Sequence, residues 1–397
     1  MRKATQQQTK EHNRNLVLKI IFENESISRA EIARITSLTR TTVSDIVSDL
    51  LADGLVSEVG LGASQGGKSP ILISIEEDSR YLIGLNLASQ QFSGAVVNLR
   101  GKIKKMVTLP VKDRNGDNAL DLVFEILDQL LEASFQPLVG IGIGTAGLVN
   151  MRDGLVVNAV NLEWRDLPLA RLVQDRYHLP VKVLNDSQAA AMGEYIYSQG
   201  PTADKNLIVI NAHRGIGAGI LIHGQLFQGD GGGAGEIGHI VVVPKGGLPC
   251  RCGNYGCLET VASSQALIRR VQALADGPSG EASLSEIEQA FSKGDPVVRE
   301  LVSETGYYLG MAISCLTGAL NIEKIILTGE MTVFGRPWLG VIQETVAKNT
   351  FPKLAQDIEI EFGKLGGNNV ILGASALLAN DYALLFNKQI SHSLLFS

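Results

Sequence analysis

Three of the four cysteines in this 397-residue chain fall within one short segment, Cys250-Arg-Cys-Gly-Asn-Tyr-Gly-Cys257, and His239 stands eleven residues before it. Three thiolates and one imidazole form a closed tetrahedral site for zinc, and the two glycines of the segment let the backbone wrap around an ion. Because four protein ligands leave no open coordination position, the predicted Zn²⁺ is structural. Its predicted ligands are His239, Cys250, Cys252 and Cys257.

Free thiols or a disulfide are the alternatives for these cysteines. A reducing cytoplasm disfavours the disulfide. A cytoplasmic location is predicted because the start of the chain, Met1–Gln8, is polar and lacks the apolar stretch of a secretion signal. No apolar run is long enough to cross a bilayer, so no membrane partner is expected. The fourth cysteine, Cys315, lies in an apolar helical pattern and is interpreted as a small core residue.

The first 44 residues are basic, whereas the rest of the chain is acidic. They carry eight Lys and Arg against four acidic residues, in a chain whose net charge is −6. A basic end on an acidic body is the asymmetry expected when only that end meets the phosphates of a nucleic acid.

Helix and turn signals in the same region predict three helices followed by a β-hairpin. Ser28 and Glu31 have the spacing of a capping box, which would begin a short second helix. A third helix is predicted from about Thr39 to Ala52, with its apolar residues on one face. Two β-like runs, Leu55–Val59 and Ile71–Ile75, follow it.

This order of elements predicts an α+β winged helix-turn-helix domain over residues 1–78 that binds operator DNA. The alternative is a three-helix module that docks another protein. Small hydroxyls and one arginine at the start of the third helix suit a major groove, and a lysine in the wing suits a phosphate. The predicted DNA contacts are Thr39, Arg40, Thr41, Thr42, Ser44 and Lys68.

From Tyr81 onward, β-like and helical patterns alternate. Three strands, the first two being Tyr81–Leu87 and Phe92–Leu99, come before an alternating α/β stretch, and the same order begins again at Leu207. We expect residues 79–397 to form an α/β body of two lobes with a cleft between them.

The cysteine segment and the residues just before it also resemble those of a known family. Gly235-Glu-Ile-Gly-His239, followed by Cys250-x-Cys-Gly-x-x-Gly-Cys-x-Glu259, resembles the ROK family of repressors, open reading frames and sugar kinases. The resemblance extends over residues 10 to 385 and implies an actin/hexokinase-like body. Within that family, an amino-terminal winged helix-turn-helix is typical of the NagC/XylR-type repressors.

The resemblance also implies a sugar site. In the family's kinases the residue that matches Asp186 is the general base for the sugar hydroxyl, and the loop matching residues 142–147 lines the same pocket. The alternative for Asn185 and Asp186 is that they only cap the following helix. The implied sugar-binding residues are Asn161, Asn185, Asp186, Glu236, His239 and Glu259.

The motifs by which the family's kinases hold ATP are altered here. Their Asp-x-Gly-Gly-Thr-Lys aligns with Asn86-Leu-Ala-Ser-Gln-Gln91, and their Gly-Thr-Gly-x-Gly aligns with His213-Arg-Gly-Ile-Gly217. A Gly-Gly pair near the nucleotide is Gly329-Glu330, which adds a negative charge. Because phosphates need bare backbone amides and a cation, these changes predict that the chain is not a kinase.

The sequence therefore predicts a DNA-binding repressor of carbohydrate genes whose bound sugar signals through closure of the two lobes. A homodimer or homotetramer would present two heads to a pseudo-palindromic operator. One alternative is an ATP-dependent sugar kinase with an added regulatory domain. Another is a regulator controlled by a protein partner.

Overall fold

The computed structural model describes residues 5–63, 69–133, 135–198, 206–274, 283–379 and 381–386. The chain divides into two compact units. The first consists of Met1–Asp186, Ile196–Ala203 and Val370–Ser397, and the second of Ser187–Tyr195 and Asp204–Asn369. The predicted boundary at residue 78 remains a prediction. Among the described helices, none combines the length and the apolar character that a membrane span requires.

The amino-terminal head has the predicted order of three helices and a hairpin. Thr5 begins the first helix with a complete capping box to Gln8. Thr39 is the N-cap of the third helix, and Gly54 follows that helix with φ +66°, as is typical of a C′ glycine. The elements are α1 (Gln6–Glu23), β1 (Ile27–Ser28), α2 (Arg29–Thr36), α3 (Arg40–Ala52), β2 (Val56–Leu61) and β3 (Ile71–Ile75).

Two details of the head differ from the prediction. At the start of α2, Ser28 Oγ accepts a hydrogen bond from the Glu31 amide at 3.2 Å, but the Glu31 carboxylate accepts from Arg34 at 3.0 Å. The hairpin also becomes a three-stranded sheet in the order β1-β3-β2. The strand β1 has only two residues, which is too few to show a periodic pattern, so the sequence did not predict it.

The remainder of the first unit contains one large and one small sheet. The large sheet has the order β11-β7-β4-β5-β6, in which β4 to β6 form an antiparallel meander while β7 and β11 add in parallel. Its strands are β4 (Tyr81–Leu87), β5 (Gln91–Asn98), β6 (Ile103–Pro110), β7 (Leu138–Thr145) and β11 (Val181–Asn185). The small sheet, which the sequence did not predict, contains β8 (Leu148–Asn150), β9 (Leu155–Ala159) and β10 (Trp164–Leu167). Two of its helices are α4 (Gly116–Leu131) and α5 (Leu169–Tyr177).

The second unit repeats the connectivity of the large sheet. Its order is β14-β13-β12-β15-β16, again a three-stranded antiparallel meander to which two strands add in parallel. The strands are β12 (Leu207–Ala212), β13 (Ile216–Ile222), β14 (Gln225–Phe227), β15 (Lys324–Thr328) and β16 (Glu359–Phe362). The recurrence confirms the predicted α/β class, in which the same pattern occurs twice.

The longest helix of the second unit packs on its neighbour around a buried tryptophan. Trp338 is fully buried, and its Nε1 donates to Thr305 Oγ1 at 3.0 Å. Cys315, on the same long helix as Thr305, is exposed, so its interpretation as a core residue is wrong. The helices are α6 (Asp186–Gly193), α7 (Glu259–Ala262), α8 (Ser264–Leu274), α9 (Leu284–Lys293), α10 (Pro296–Leu320), α11 (Gly335–Asn349) and α12 (Pro352–Ala355).

Two long helical stretches of the chain are interrupted. The stretch that begins with α7 is broken at Ser263, which is extended and whose Oγ accepts from the Ala266 amide at 3.1 Å. The carboxy-terminal helix is broken into α13 (Asn369–Ala379) and α14 (Tyr382–Leu385). Apolar periodicity continues across each break, so the sequence pattern did not reveal it.

Glycines let α13 approach the large sheet of the first unit closely. A Cβ added to Gly142 in β7 would lie 2.0 Å from the Ala374 carbonyl oxygen, and one added to Gly84 in β4 would lie 2.1 Å from that of Ile371. Neither oxygen can move without displacing helix backbone.

We therefore expect Gly142→Ala to lower stability by about 1–3 kcal/mol through overpacking, seen as a lower midpoint of thermal unfolding. The matched control is Gly340→Ala in α11, where an added Cβ has no neighbour within 4 Å. That control should be neutral or stabilising by up to about 1 kcal/mol. An unchanged midpoint for Gly142→Ala would contradict the close approach.

Candidate functional site

The cysteine segment and His239 come together in the second unit as predicted. One ligand atom from each of the four residues lies within 4.8 Å of the other three. His239 ends a short 3₁₀ turn that starts at Ile237, and Cys257 lies two residues before α7. An isolated bridge between Val241 and Cys257 holds the two parts of the cluster together.

The distances in this cluster suit a tetrahedral ion. The sulfurs of Cys252 and Cys257 are 3.7 Å apart, and Cys250 Sγ is 3.5 Å from His239 Nδ1. Around a tetrahedral zinc ion, two sulfur ligands would be about 3.8 Å apart, and a sulfur and a nitrogen about 3.6 Å apart. The residues present therefore fit a four-coordinate metal ion with no open position.

Two of the three thiols are costly to deprotonate when no cation is bound. Burial raises the pKa of Cys257 to about 12 and also raises the pKa of Cys250. At Cys252 a backbone hydrogen bond from Asn254 lowers the thiol pKa. A bound cation reverses this cost, because a coordinating thiol is deprotonated outright.

The backbone of the segment requires glycine where the sequence places it. Gly256 has φ +73°, and a Cβ there would lie 1.9 Å from the Val243 carbonyl oxygen. Any other residue would push the two parts of the cluster apart.

The predicted DNA contacts lie at the start of α3. Thr39 Oγ1 accepts from the Thr42 amide at 3.1 Å and lies 2.8 Å from the Thr42 hydroxyl, so Thr39 also serves the helix cap. Arg40 and Thr41 are exposed, and Ser44 is half-buried. Lys68 lies outside the described residues.

Three predicted sugar-binding residues belong to the first unit. Asn185 ends β11 and Asp186 begins α6, and both are half-buried. The Asn185 side-chain amide donates to the Gly147 carbonyl at 2.9 Å. Asn161 is exposed in a 3₁₀ turn. The Asn185 amide is thus used to hold the loop after β7.

The other three belong to the second unit. Glu236 is exposed, and its carboxylate lies 3.9 Å from His239 Nε2, on the ring edge away from Cys250. Glu259 is the first residue of α7, and its Oε2 lies 3.4 Å from the Ile216 amide nitrogen, which donates to it. The cysteine cluster, Glu236 and Glu259 are therefore built on one continuous stretch of chain.

Two contacts around these residues were missed from the sequence. Gln188, which is buried, donates from its side-chain amide to the Gly232 carbonyl at 3.1 Å and so holds the loop before Glu236. Arg251 Nη2 lies 3.4 Å from Glu259 Oε1. Gln188 stands two residues after Asp186, and this nearness to a predicted site residue was the signal that could have revealed it.

The segment His213–Gly217, predicted to replace a phosphate loop, contributes to a compact polar cluster in the second unit. His213 lies in the turn between β12 and β13, and its Nδ1 is 3.3 Å from Glu330 Oε1. The Ser264 hydroxyl donates to the same Glu330 oxygen. The three polar side chains therefore satisfy one another.

The elements described above define a class, an α/β protein with a repeated five-stranded sheet and a winged helix-turn-helix head. The chain belongs to the ROK family, whose sequence model matches residues 82–381. A model described as winged helix-turn-helix DNA-binding matches residues 11–57.

Known relatives resemble the chain over different spans. A xylose repressor from Caldicellulosiruptor bescii is 31% identical over 94% of this chain and 96% of its own length. A glucokinase from Halalkalibacterium halodurans is 33% identical over 75% of this chain and 95% of its own. The crystal structure of a ROK family transcriptional regulator, a homologue of the Escherichia coli MLC protein, is 28% identical, with a TM-score of 0.81 over 95% of this chain and 98% of that one.

We predict that Cys257→Ser abolishes metal binding, because serine oxygen is a poor replacement for a thiolate in a closed site. Metal content of the purified chain, measured by mass spectrometry, should fall from about one ion per chain to near zero. The midpoint of thermal unfolding should fall as well.

Cys315→Ser is the matched control, since Cys315 is exposed on α10 and outside the cluster. It should retain the metal and the unfolding midpoint. Full metal content in Cys257→Ser would contradict the site.

Proposed function

We propose that the chain is a transcriptional repressor that binds operator DNA through its head and responds to a sugar bound by its body. The observation that carries this proposal is how much of this chain each relative matches. The xylose repressor and the MLC-like regulator match head and body together, whereas the glucokinase matches 75% of the chain. The head, which the winged helix-turn-helix model matches, supports the same conclusion.

DNA binding would use the exposed start of α3 together with the wing. Arg40 can donate two hydrogen bonds to a guanine edge or bind a phosphate, and the hydroxyls can contact the backbone. We propose a homodimer or homotetramer that presents two heads to two half-sites about one helical turn apart. The proposed contacts are Thr39, Arg40, Thr41, Thr42, Ser44 and Lys68.

The proposed metal is a structural Zn²⁺ held by His239, Cys250, Cys252 and Cys257. The tetrahedral spacing of the sulfur and nitrogen atoms supports this choice, as does a donor set of three thiols and one imidazole. Its role would be to fix the ring of His239 and the start of α7, where Glu259 lies.

The proposed effector is an uncharged pentose or hexose. Carboxylates and amides accept and donate hydrogen bonds to sugar hydroxyls, and three of the proposed residues are carboxylic acids, which would repel a phosphosugar. The xylose repressor among the relatives makes D-xylose the first sugar to test. The proposed residues are Asn161, Asn185, Asp186, Glu236, His239 and Glu259.

Phosphoryl transfer is the second candidate function, favoured by the glucokinase relative and by Asp186. Against it, Glu330 brings a carboxylate, paired with His213 and Ser264, to a loop that in the family's kinases is Gly-Gly. A carboxylate disfavours a nearby phosphate by charge repulsion. A coupled ATP assay with a panel of hexoses and D-xylose should give no turnover, and turnover above background would favour the kinase.

For the DNA interface we predict that Arg40→Ala weakens binding to DNA from the chain's own promoter region by roughly tenfold or more, since losing a base or phosphate contact costs about 1–3 kcal/mol. Fluorescence anisotropy at fixed salt measures the change. The control Arg171→Ala removes the same charge from α5, where the side chain is 81% exposed. Equal losses of DNA affinity in both variants would mean that binding depends only on the net charge of the chain.

For the sugar site we predict that Asp186→Asn weakens D-xylose binding at least tenfold by calorimetry, because a charge-assisted hydrogen bond is worth about 1.5–3 kcal/mol. Operator affinity without sugar should stay within about twofold. Asp175→Asn on α5, an exposed acid that is not among the proposed sugar residues, is the control. A thermal-shift screen of xylose, glucose, N-acetylglucosamine and their phosphates identifies a different effector if D-xylose does not bind the wild type.

A further inference from the structure

The hydrophobic core of the head is completed by residues from far along the chain. It contains the apolar residues of α1, α2, α3 and the wing, and it continues into Leu82, Leu99 and Val139 of the large sheet and the turn beside it. Four buried residues from the end of the chain close it: Leu378, Ala379, Tyr382 and Leu385. The packing of the DNA-binding head therefore depends on the segment 378–386.

Specific contacts join that segment to the helices of the head. The rings of Phe22 in α1 and Tyr382 meet edge to face with centroids 6.1 Å apart. The guanidinium of Arg14, also in α1, lies 3.6 Å from the centroid of the Phe386 ring. Arg14 also forms an ion pair with Asp53, the C-cap residue of α3. One arginine thus links the segment to the end of the helix that carries the DNA contacts.

The same segment is joined to the strand that leads to the proposed sugar residues. Asp381 accepts from Lys182 Nζ at 2.6 Å, and Lys182 lies in β11. Asn185 ends the same strand, about 10 Å further along at 3.3 Å per residue. Because β11 is hydrogen-bonded to β7 along its length, its residues move together, and a displacement at Asn185 reaches Lys182.

We propose that the segment 378–386 is the internal link by which occupancy of the sugar residues alters the DNA-binding head. It rests on the proposed function, because it takes Asn185 and Asp186 as sugar contacts. A sugar that shifts β11 changes the Lys182–Asp381 pair, and with it the packing of Tyr382 and Phe386 against α1. Coupling of this kind is reciprocal, so operator DNA changes sugar affinity by the same factor.

A second contact between the head and the body provides the matched control. Arg100, in the turn between β5 and β6, donates to the Phe22 carbonyl at 2.7 Å and to the Asn24 carbonyl at 2.9 Å at the end of α1. Neither hydrogen bond involves β11 or the segment 378–386, although the Arg100 guanidinium also lies 5.6 Å from the centroid of the Phe22 ring. Arg100→Met therefore removes the two hydrogen bonds at the end of α1, keeps an apolar side chain beside the Phe22 ring, and leaves the Lys182–Asp381 pair in place.

The experiment compares the full-length wild type with Asp381→Asn, Tyr382→Ala and Arg100→Met. The first readout is amide hydrogen exchange without sugar or DNA. Asp381→Asn and Tyr382→Ala should raise exchange in both α1 and β11, by about two- to fivefold for the ion pair. Arg100→Met should raise exchange in α1 but not in β11.

The second readout is the ratio of operator affinities without and with saturating D-xylose. Asp381→Asn should reduce this ratio by about two- to fivefold, whereas Arg100→Met should leave it unchanged. The charge swap Lys182→Asp with Asp381→Lys should restore it toward the wild-type value.

The proposal is overturned if the exchange changes of Asp381→Asn and Tyr382→Ala stay within residues 378–386, or if the wild-type ratio persists in both. If the wild type binds no D-xylose, the proposed effector fails by itself. The exchange readout then still decides whether the segment links β11 to the head.

Discussion

The close approach of α13 to the large sheet of the first unit is the constraint on which that unit depends. Gly84 and Gly142 leave no room for a Cβ beneath the helix, so α13 lies directly on β4 and β7. Because α13 is held there, α14 reaches the head, where Tyr382 and Leu385 complete its core. The absence of a Cβ at these two glycines thus allows the docking of α14 that completes the packing of the head.

A local constraint of the same kind organises the second unit. Glycine at 256 brings the two parts of the cysteine segment together, and the cluster of one histidine and three thiols defines where α7 begins. Glu259 then lies beside the Ile216 amide. A metal ion at the cluster would stabilise a region that otherwise has few long elements, because folding energy and binding energy are the same quantity in such sites.

Sugar recognition and phosphate recognition make different chemical demands on a binding site. Sugar hydroxyls need directional polar side chains, which the proposed sugar residues Asn185 and Asp186 would supply. Phosphates need exposed backbone amides and positive charge. At Glu330 the chain has a carboxylate that pairs with His213 and accepts a hydrogen bond from Ser264. A protein with the first kind of group and without the second would be suited to the sugar sensing proposed above.

The sequence by itself determined the features that short-range chemistry controls. The start of α3 near Thr39, the alternating strands and helices, and the metal-binding spacing all depend on residues that are close in the chain. Only the tertiary structure decided the break at Ser263, the small sheet from Leu148 to Leu167 and the docking of α14 on the head. The reason is physical: a bond such as that from Arg80 Nε to the Leu385 carbonyl joins residues with no local pattern in common, and only the packed chain brings them within 3.1 Å.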